Sequence, residues 1–238
     1  MSEPVKISDI KQHTQMAAMF DSLAPVYDDV NRYASFGLDA CWRKRLIKKL
    51  PKTGAVLDIA CGTGALSWAI WKRTSLSVTG LDLSLGMLRE AQKRRPAQPS
   101  KPLPEFIKGM AEALPFEDAR FEAVSIAFGI RNVAQRQAAL QEMLRVLKPG
   151  GRLLVLEFAT PRNRLWRWLF RAYFSCMLPL LGRWASGNKD AYRYLTQSVL
   201  HFPQYEEFCQ ELHDAGFINP KYKPYTGGVA VCYEGQKR

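Results

Sequence analysis

Histidine is scarce in this chain: His13, His201 and His213 are the whole supply, and they are scattered. The five cysteines (Cys41, Cys61, Cys176, Cys209, Cys232) are odd in number and contain no C-x-x-C pair. Together these absences argue against a metal site or a disulfide framework and for reduced thiols. The opening residues, MSEPVKISDIKQH, lack an apolar signal core, so the expectation is a cytoplasmic protein. Acidic residues are also in short supply, 22 against 34 basic ones, which leaves a net charge of +12. A surface this basic favours a polyanion, either nucleic acid or the anionic face of a membrane, and charge alone does not choose between them. What the chain has in quantity is apolar material, 47% of 238 residues, enough to bury the core of one α/β domain with an insertion.

Periodicity organises that material. Residues 14–50 read as helical, with breaks at Pro25 and near Gly37. Strands and helices then alternate: strand AVLDIA, helix ALSWAIWKRT, strand SVTGLDLS, helix LGMLREAQKRR, strands EFIKGMA and FEAVSIAFGI, helix AQRQAALQEMLRVL and strand GRLLVLEFA. Strands separated by helices imply parallel βαβ units. The tail has no helix between its two strand-like runs, and YTGG reads as a turn, so the sheet is expected to end in a hairpin with one antiparallel strand.

Residues 160–200 interrupt this rhythm. The stretch RNRLWRWLFRAYFSCMLPLLGRW is too broken by Arg167, Arg171 and Pro179 to supply the ~20 apolar residues of a membrane span. Trp166, Trp168, Phe170 and Phe174 beside Arg164, Arg167 and Arg171 suit an interfacial amphipathic segment or a lid over a greasy substrate. An ordinary insertion helix packed on the core is the plainer alternative.

The segment VLDIACGTGALS joins a buried strand to a helix through a glycine turn, which places a ligand at the carboxyl end of the sheet. A dinucleotide fingerprint would need a third glycine, and Ser67 stands there instead. The turn Gly62-Thr63-Gly64 lies just after Asp58, a carboxylate that would repel a pyrophosphate and suit a cationic ligand. S-adenosylmethionine carries an ammonium, a sulfonium and no phosphate. Asp82 closes the next strand, where a carboxylate accepts hydrogen bonds from ribose hydroxyls. The following loop, GMAEALPF, offers Met110 and Ala111 to an adenine ring.

These motifs, with FDSLAPVYDDVNRYASFGLDACWRK, AEALPFED, FGIRNV, LRVLKPGGRLLVLEF, DAYRYLTQSVLHFP and TGGVA, resemble the menaquinone and ubiquinone C-methyltransferase family over nearly the whole chain. FGIRNV and YDDVN…SFG are specific to that family, whereas CGTG and LKPGG are shared by many methyltransferases. The resemblance implies an α/β, class I S-adenosylmethionine-dependent methyltransferase (Rossmann-like) fold. Its sheet is seven-stranded and mostly parallel with one antiparallel strand. It also implies a helical cap over residues 1–50 and a methyltransferase domain over 51–238, with an apolar lid inserted at about 160–200, all in one globular unit. The implied reaction is methylation of the ring carbon of a polyprenylated quinol, demethylmenaquinol before a benzoquinol.

Chemistry gives the rim residues roles in that frame. The nucleophile must be the reduced quinol, because a quinone ring is electron-poor. Arg131 is expected as an electrostatic partner for a developing quinolate oxygen rather than as a base, and Asn132 as a group that orients a ring hydroxyl. The alternative for Arg131 is an ion pair that ties down its loop. Tyr27 shares a helix face with Asn31 and would close over cofactor and substrate.

Three positions depart from the family: Cys61 and Ala127 replace a common glycine and serine, and Met110 replaces a common asparagine, removing side-chain contacts to the cofactor. An RNA methyltransferase is the second enzyme reading. FGIRNV carries neither an Asn/Asp-Pro-Pro-aromatic loop nor a cysteine, so no nucleic-acid partner is expected. A non-catalytic quinone-binding protein is the third, disfavoured by the presence of Arg131 and Asn132. The charge then reads as peripheral attraction to the inner face of the membrane, with a homo-oligomer left open.

Overall fold

A computed structural model describes residues 7–173 and 196–238. Three helices open it: α1 (Ile7–Leu23), α2 (Tyr27–Ala34) and α3 (Asp39–Ile47). The α/β portion runs β1 (Ala55–Ile59), α4 (Ala65–Arg73), β2 (Ser77–Asp82), α5 (Leu85–Lys93), β3 (Glu105–Lys108), β4 (Phe121–Ala127), α6 (Arg136–Val146) and β5 (Leu147–Phe158). It closes with α7 (Arg164–Ala172), α8 (Glu206–Asp214), β6 (Ile218–Tyr225) and β7 (Ala230–Gln236).

The seven strands form one sheet in the order β3-β2-β1-β4-β5-β7-β6. β1 pairs in parallel with β2 on one side and β4 on the other. β7 runs antiparallel to both β5 and β6, so the expected hairpin is present and its turn is the 3-10 segment Thr226–Gly228. The strand order reverses beside β1, which opens a crevice at the carboxyl ends of β1 and β4. β5 is longer than its apolar run suggests, because the KPGG segment stays in the strand and Leu147 pairs with Phe121 across a bulge.

The helical cap is not a separate layer at its last helix. Trp42, Leu46 and Ile47 of α3 are buried in the same core as Val56 of β1 and Leu154 of β5. Trp42 packs edge-on against Phe158 at 6.1 Å and donates from Nε1 to Thr226 Oγ1 at 2.9 Å, which holds α3 to the sheet and to the final hairpin turn. α8 was missing from the periodic reading. Its burial rests on Phe208 and Leu212, one turn apart, with Cys209 half-buried beside them and the other positions polar.

In the insertion, Asn163 caps α7 by accepting from Leu165 N and Trp166 N at 3.0 and 3.2 Å. Phe170 is turned into the core, so it does not belong to the interfacial face expected for it. Phe174 and Pro179 lie outside the described residues. No helix among the described residues is long and apolar enough to cross a membrane.

Candidate active site

The turn after β1 is shaped by Asp82. Its Oδ2 accepts from Gly62 N at 2.7 Å and its Oδ1 from Ser84 N at 2.9 Å, so one carboxylate pins the loops after β1 and β2 together. The N-cap of α5 is Ser84, whose Oγ accepts from Met87 N at 3.0 Å, so Asp82 is left free of that task. Each carboxylate oxygen retains a lone pair beyond its backbone partner. Burial pushes the Asp82 carboxyl up, against the pull of these backbone N–H groups.

Gly64 starts α4 with φ +73°, and a Cβ there would sit 3.0 Å from Ala91 Cβ, so both conformation and packing require glycine. A second close approach lies across the sheet. A Cβ on Gly129 would fall 2.6 Å from Ala60 Cβ, so the loops after β1 and β4 lie back to back only because one of them has no side chain. Ala60 and Phe128 themselves take left-handed φ values of +49° and +61° at these two strand ends.

Asp58 is 1% exposed. Ser67 Oγ donates to its Oδ2 at 2.6 Å and Ser125 Oγ to its Oδ1 at 3.0 Å. Ser67 thus has a purpose at the position where a dinucleotide loop carries its third glycine. Burial lifts the Asp58 carboxyl to about 6, opposed by the two hydroxyls and by the Arg43 charge. Asp58 lines a narrow pocket with Tyr27, Asn31, Arg43, Gly62 and Thr63. The Thr63 hydroxyl is already engaged: it donates to Asp28 Oδ1 of α2 at 2.6 Å and accepts from Arg94 of α5 at 3.1 Å.

A larger cavity adjoins this pocket and shares Tyr27, Ala60 and Gly62 with it. Of the residues singled out in the sequence, Tyr27, Gly62, Asp82, Met110, Ala111 and Asn132 all line it. They come from five separate segments of the chain. Gly64 and Arg131 line neither space. Sequence reasoning missed the roof, His13, Met16, Ala17 and Phe20, which α1 presents at helical spacing along one face. It also missed Asp21, which fastens α1 by accepting from Gly86 N at 2.8 Å and Ser84 Oγ at 2.5 Å. The i, i+3, i+4, i+7 pattern in HTQMAAMF was the available signal.

Arg131 lies behind the cavity wall, in an ion pair. Its side chain is 4% exposed, and Nη1 donates to Glu157 Oε1 and to the Phe128 carbonyl, each at 2.6 Å. Glu157 is fully buried, and its Oε1 also accepts from Phe158 N at 2.8 Å. Burial raises the Glu157 carboxyl and the guanidinium opposes that rise. The ion pair weighed as the alternative is therefore what the structure contains. It anchors the 3-10 turn Ile130–Asn132, and that turn carries Asn132 to the cavity wall.

A profile of the ubiE/COQ5 methyltransferase family matches residues 8–237. The chain is 42% identical over 223 residues to the ubiquinone/menaquinone biosynthesis C-methyltransferase UbiE of Geobacter sulfurreducens, covering 92% of this chain and 87% of that protein. It is 42% identical over 224 residues to the demethylmenaquinone methyltransferase of Thermus thermophilus, covering 92% of this chain and 100% of the relative. Among solved structures, an S-adenosylmethionine-dependent methyltransferase of Thermotoga maritima superposes with a TM-score of 0.66 at 21% identity, over 94% of this chain and 100% of the other. A phosphoethanolamine N-methyltransferase of Haemonchus contortus, solved with S-adenosyl-L-methionine, gives 0.60 at 17% identity over 83% and 52%. At such identities the structural likeness is one of fold.

The Arg131–Glu157 pair yields a direct test. Removing either partner, as in Arg131→Met or Glu157→Leu, strands a charge in the interior and is expected to destabilise the protein by about 3–5 kcal/mol in urea unfolding. The double replacement should recover most of that loss. Single-variant losses below about 1 kcal/mol, the range of an exposed pair, would contradict the anchoring role.

Proposed function

Because the chain belongs to the ubiE/COQ5 methyltransferase family, we propose that it moves a methyl group from S-adenosylmethionine to the ring carbon of a polyprenylated quinol, with demethylmenaquinol as the first substrate to test. The observation that carries this reading is the single cavity that gathers Tyr27, Gly62, Asp82, Met110, Ala111 and Asn132 at the carboxyl end of the sheet. The bound cofactor supplies an electrophilic methyl group on a cationic sulfur.

The residues present fit that cofactor. Asp82 has lone pairs beyond those taken by Gly62 N and Ser84 N, and these suit vicinal ribose hydroxyls. Asp58, buried and lifted to about 6, is a carboxylate short of a counter-charge, which an ammonium in the narrow pocket would provide. Arg43 lines the same pocket and suits a carboxylate. Met110 and Ala111 would flank the adenine, and the α1 roof covers them from above.

On the substrate side, Tyr27 and Asn132 are the polar groups that orient a quinol hydroxyl so that the ring carbon faces the methyl group. Arg131 acts through position: paired with Glu157, it holds the turn that presents Asn132. Its charge lies one layer behind the cavity wall.

A quinol with a polyprenyl tail resides in lipid, so the enzyme must meet a membrane. The exposed face of α7 supports that contact. Trp168 and Leu165 are 66% and 65% exposed, with Trp166, Leu169 and the exposed Arg164 and Arg171 beside them. Phe36, 69% exposed, extends the apolar surface by stacking on Tyr173 at 4.4 Å. Each well-placed arginine adds roughly 1 kcal/mol of attraction to anionic lipid.

Anaerobic transfer of labelled methyl to short-chain demethylmenaquinol, its oxidised quinone and the matching benzoquinol tests the reaction. Label is expected only in the reduced lipids. No label in any lipid, with cofactor binding intact, would contradict the quinol reading. For the membrane face, the protein is expected to float with anionic liposomes at moderate salt, and Trp168→Glu to lower the bound fraction several-fold. Wild-type protein that stays wholly unbound would rule out the docking face.

A further inference from the structure

We propose that His13, from the α1 roof, reads the exocyclic amino group of the cofactor's adenine, with Glu112 holding its imidazole in the required tautomer. The proposal rests on the reading that S-adenosylmethionine occupies the large cavity, and it adds a specificity-determining residue to that site.

The argument starts from an orphan. His13 lines the cavity, and its Nε2 lies 3.1 Å from Glu112 Oε1. Its other ring nitrogen, Nδ1, is buried and has no hydrogen-bond partner. A buried polar atom left unsatisfied is costly, and beside a cavity it is a candidate partner for a bound ligand atom. In the neutral imidazole, Glu112, an acceptor facing Nε2, selects the tautomer with the proton on that nitrogen, so Nδ1 presents a lone pair. The missing partner is therefore a donor.

Position identifies the donor. Were the ribose hydroxyls held by Asp82 at the end of β2, the base would extend toward the loop after β3, where Met110, Ala111 and Glu112 line the wall. Met110 has no polar group to offer an adenine edge. The polar side chains beside it carry other duties. Asp82 holds two backbone amides, Ser84 Oγ bonds Asp21 and Met87 N, and Glu112 Oε1 faces His13 and accepts from Gln135 N at 3.4 Å. The adenine amino group is a two-hydrogen donor, and Nδ1 of His13 is the buried acceptor of that wall that has no partner to meet it. A base bearing a carbonyl at that place, as in an inosine, would set lone pair against lone pair and be rejected.

The same contact closes the roof. Asp21 fastens α1 eight residues along from His13, at Ser84 and Gly86, so His13 is the second fixing point of a helix that spans the cavity. Adenine binding would complete that point, and α1 amides should then exchange more slowly with solvent.

The test is calorimetric titration of the full chain with S-adenosylhomocysteine and with its deaminated analogue, S-inosylhomocysteine. Wild type is expected to prefer the adenosyl ligand by about tenfold or more, the scale of one hydrogen bond in a buried site. His13→Ala should lose that preference by weakening the adenosyl ligand, leaving the inosyl ligand within about twofold of wild type. Glu112→Ala, which frees the tautomer, should lose part of it. Hydrogen exchange of α1 should slow on ligand addition in wild type and not in His13→Ala, a readout independent of affinity. A preference unchanged in His13→Ala would overturn the proposal, and one that survives there but vanishes in Glu112→Ala would assign the role to Glu112 instead. Failure of wild type to bind S-adenosylhomocysteine at all would overturn the cofactor reading, and this inference with it.

Discussion

One carboxylate organises the site. Asp82 accepts the amides of Gly62 and Ser84, and through them it fixes the glycine turn after β1 relative to the start of α5. Ser84 passes the constraint on, since its hydroxyl bonds Asp21 and thereby secures α1 above the cavity. Floor, wall and roof are thus joined by hydrogen bonds that begin at a single residue. The arrangement is compatible with the ligand role proposed for Asp82 as well as its role in the fold. Its backbone partners approach along two lone pairs and leave the others for hydroxyls in the cavity.

Two buried acidic groups are compensated very differently. Glu157 has its counter-charge built in, because Arg131 bonds it directly and the pair steadies the FGIRNV turn. Asp58 has only serine hydroxyls close by, with the Arg43 charge acting less strongly, and its carboxyl rises to about 6. A fold selected for stability alone would have little reason to bury a carboxylate so weakly compensated. The same contrast separates the roles of Arg131 and Asn132, neighbours in sequence of which only Asn132 reaches the cavity wall.

Much of this was legible in the sequence where the signal is local. The βαβ alternation, the glycine turn, Asp82 at a strand end and the antiparallel tail all follow from periodicity and turn chemistry within about ten residues. What escaped depends on pairings between distant residues. Glu157 is embedded in an apolar strand, LLVLEFA, and nothing near it announces a partner 26 residues away. His13 and Glu112 lie 99 residues apart, and Thr63 and Asp28 lie 35 apart. α8 escaped because two buried residues and a half-buried cysteine anchor an otherwise polar helix. Phe170 faces inward among exposed tryptophans, a choice that only packing against the core makes.

The central claim is that the cavity is preorganised for a cationic adenosyl ligand, with Asp58 under-compensated until that ligand arrives. Binding of S-adenosylmethionine, measured by calorimetry between about pH 5 and pH 7.5 in buffers of different ionisation enthalpy, tests this most directly. A carboxyl poised near 6 that meets a cation must give up its proton. Affinity should therefore rise as pH climbs through about 6 and level off above it, with protons released on binding near the midpoint, and Asp58→Asn should abolish both effects. Affinity that is flat across this range, with no proton release and no change in Asp58→Asn, would contradict the account.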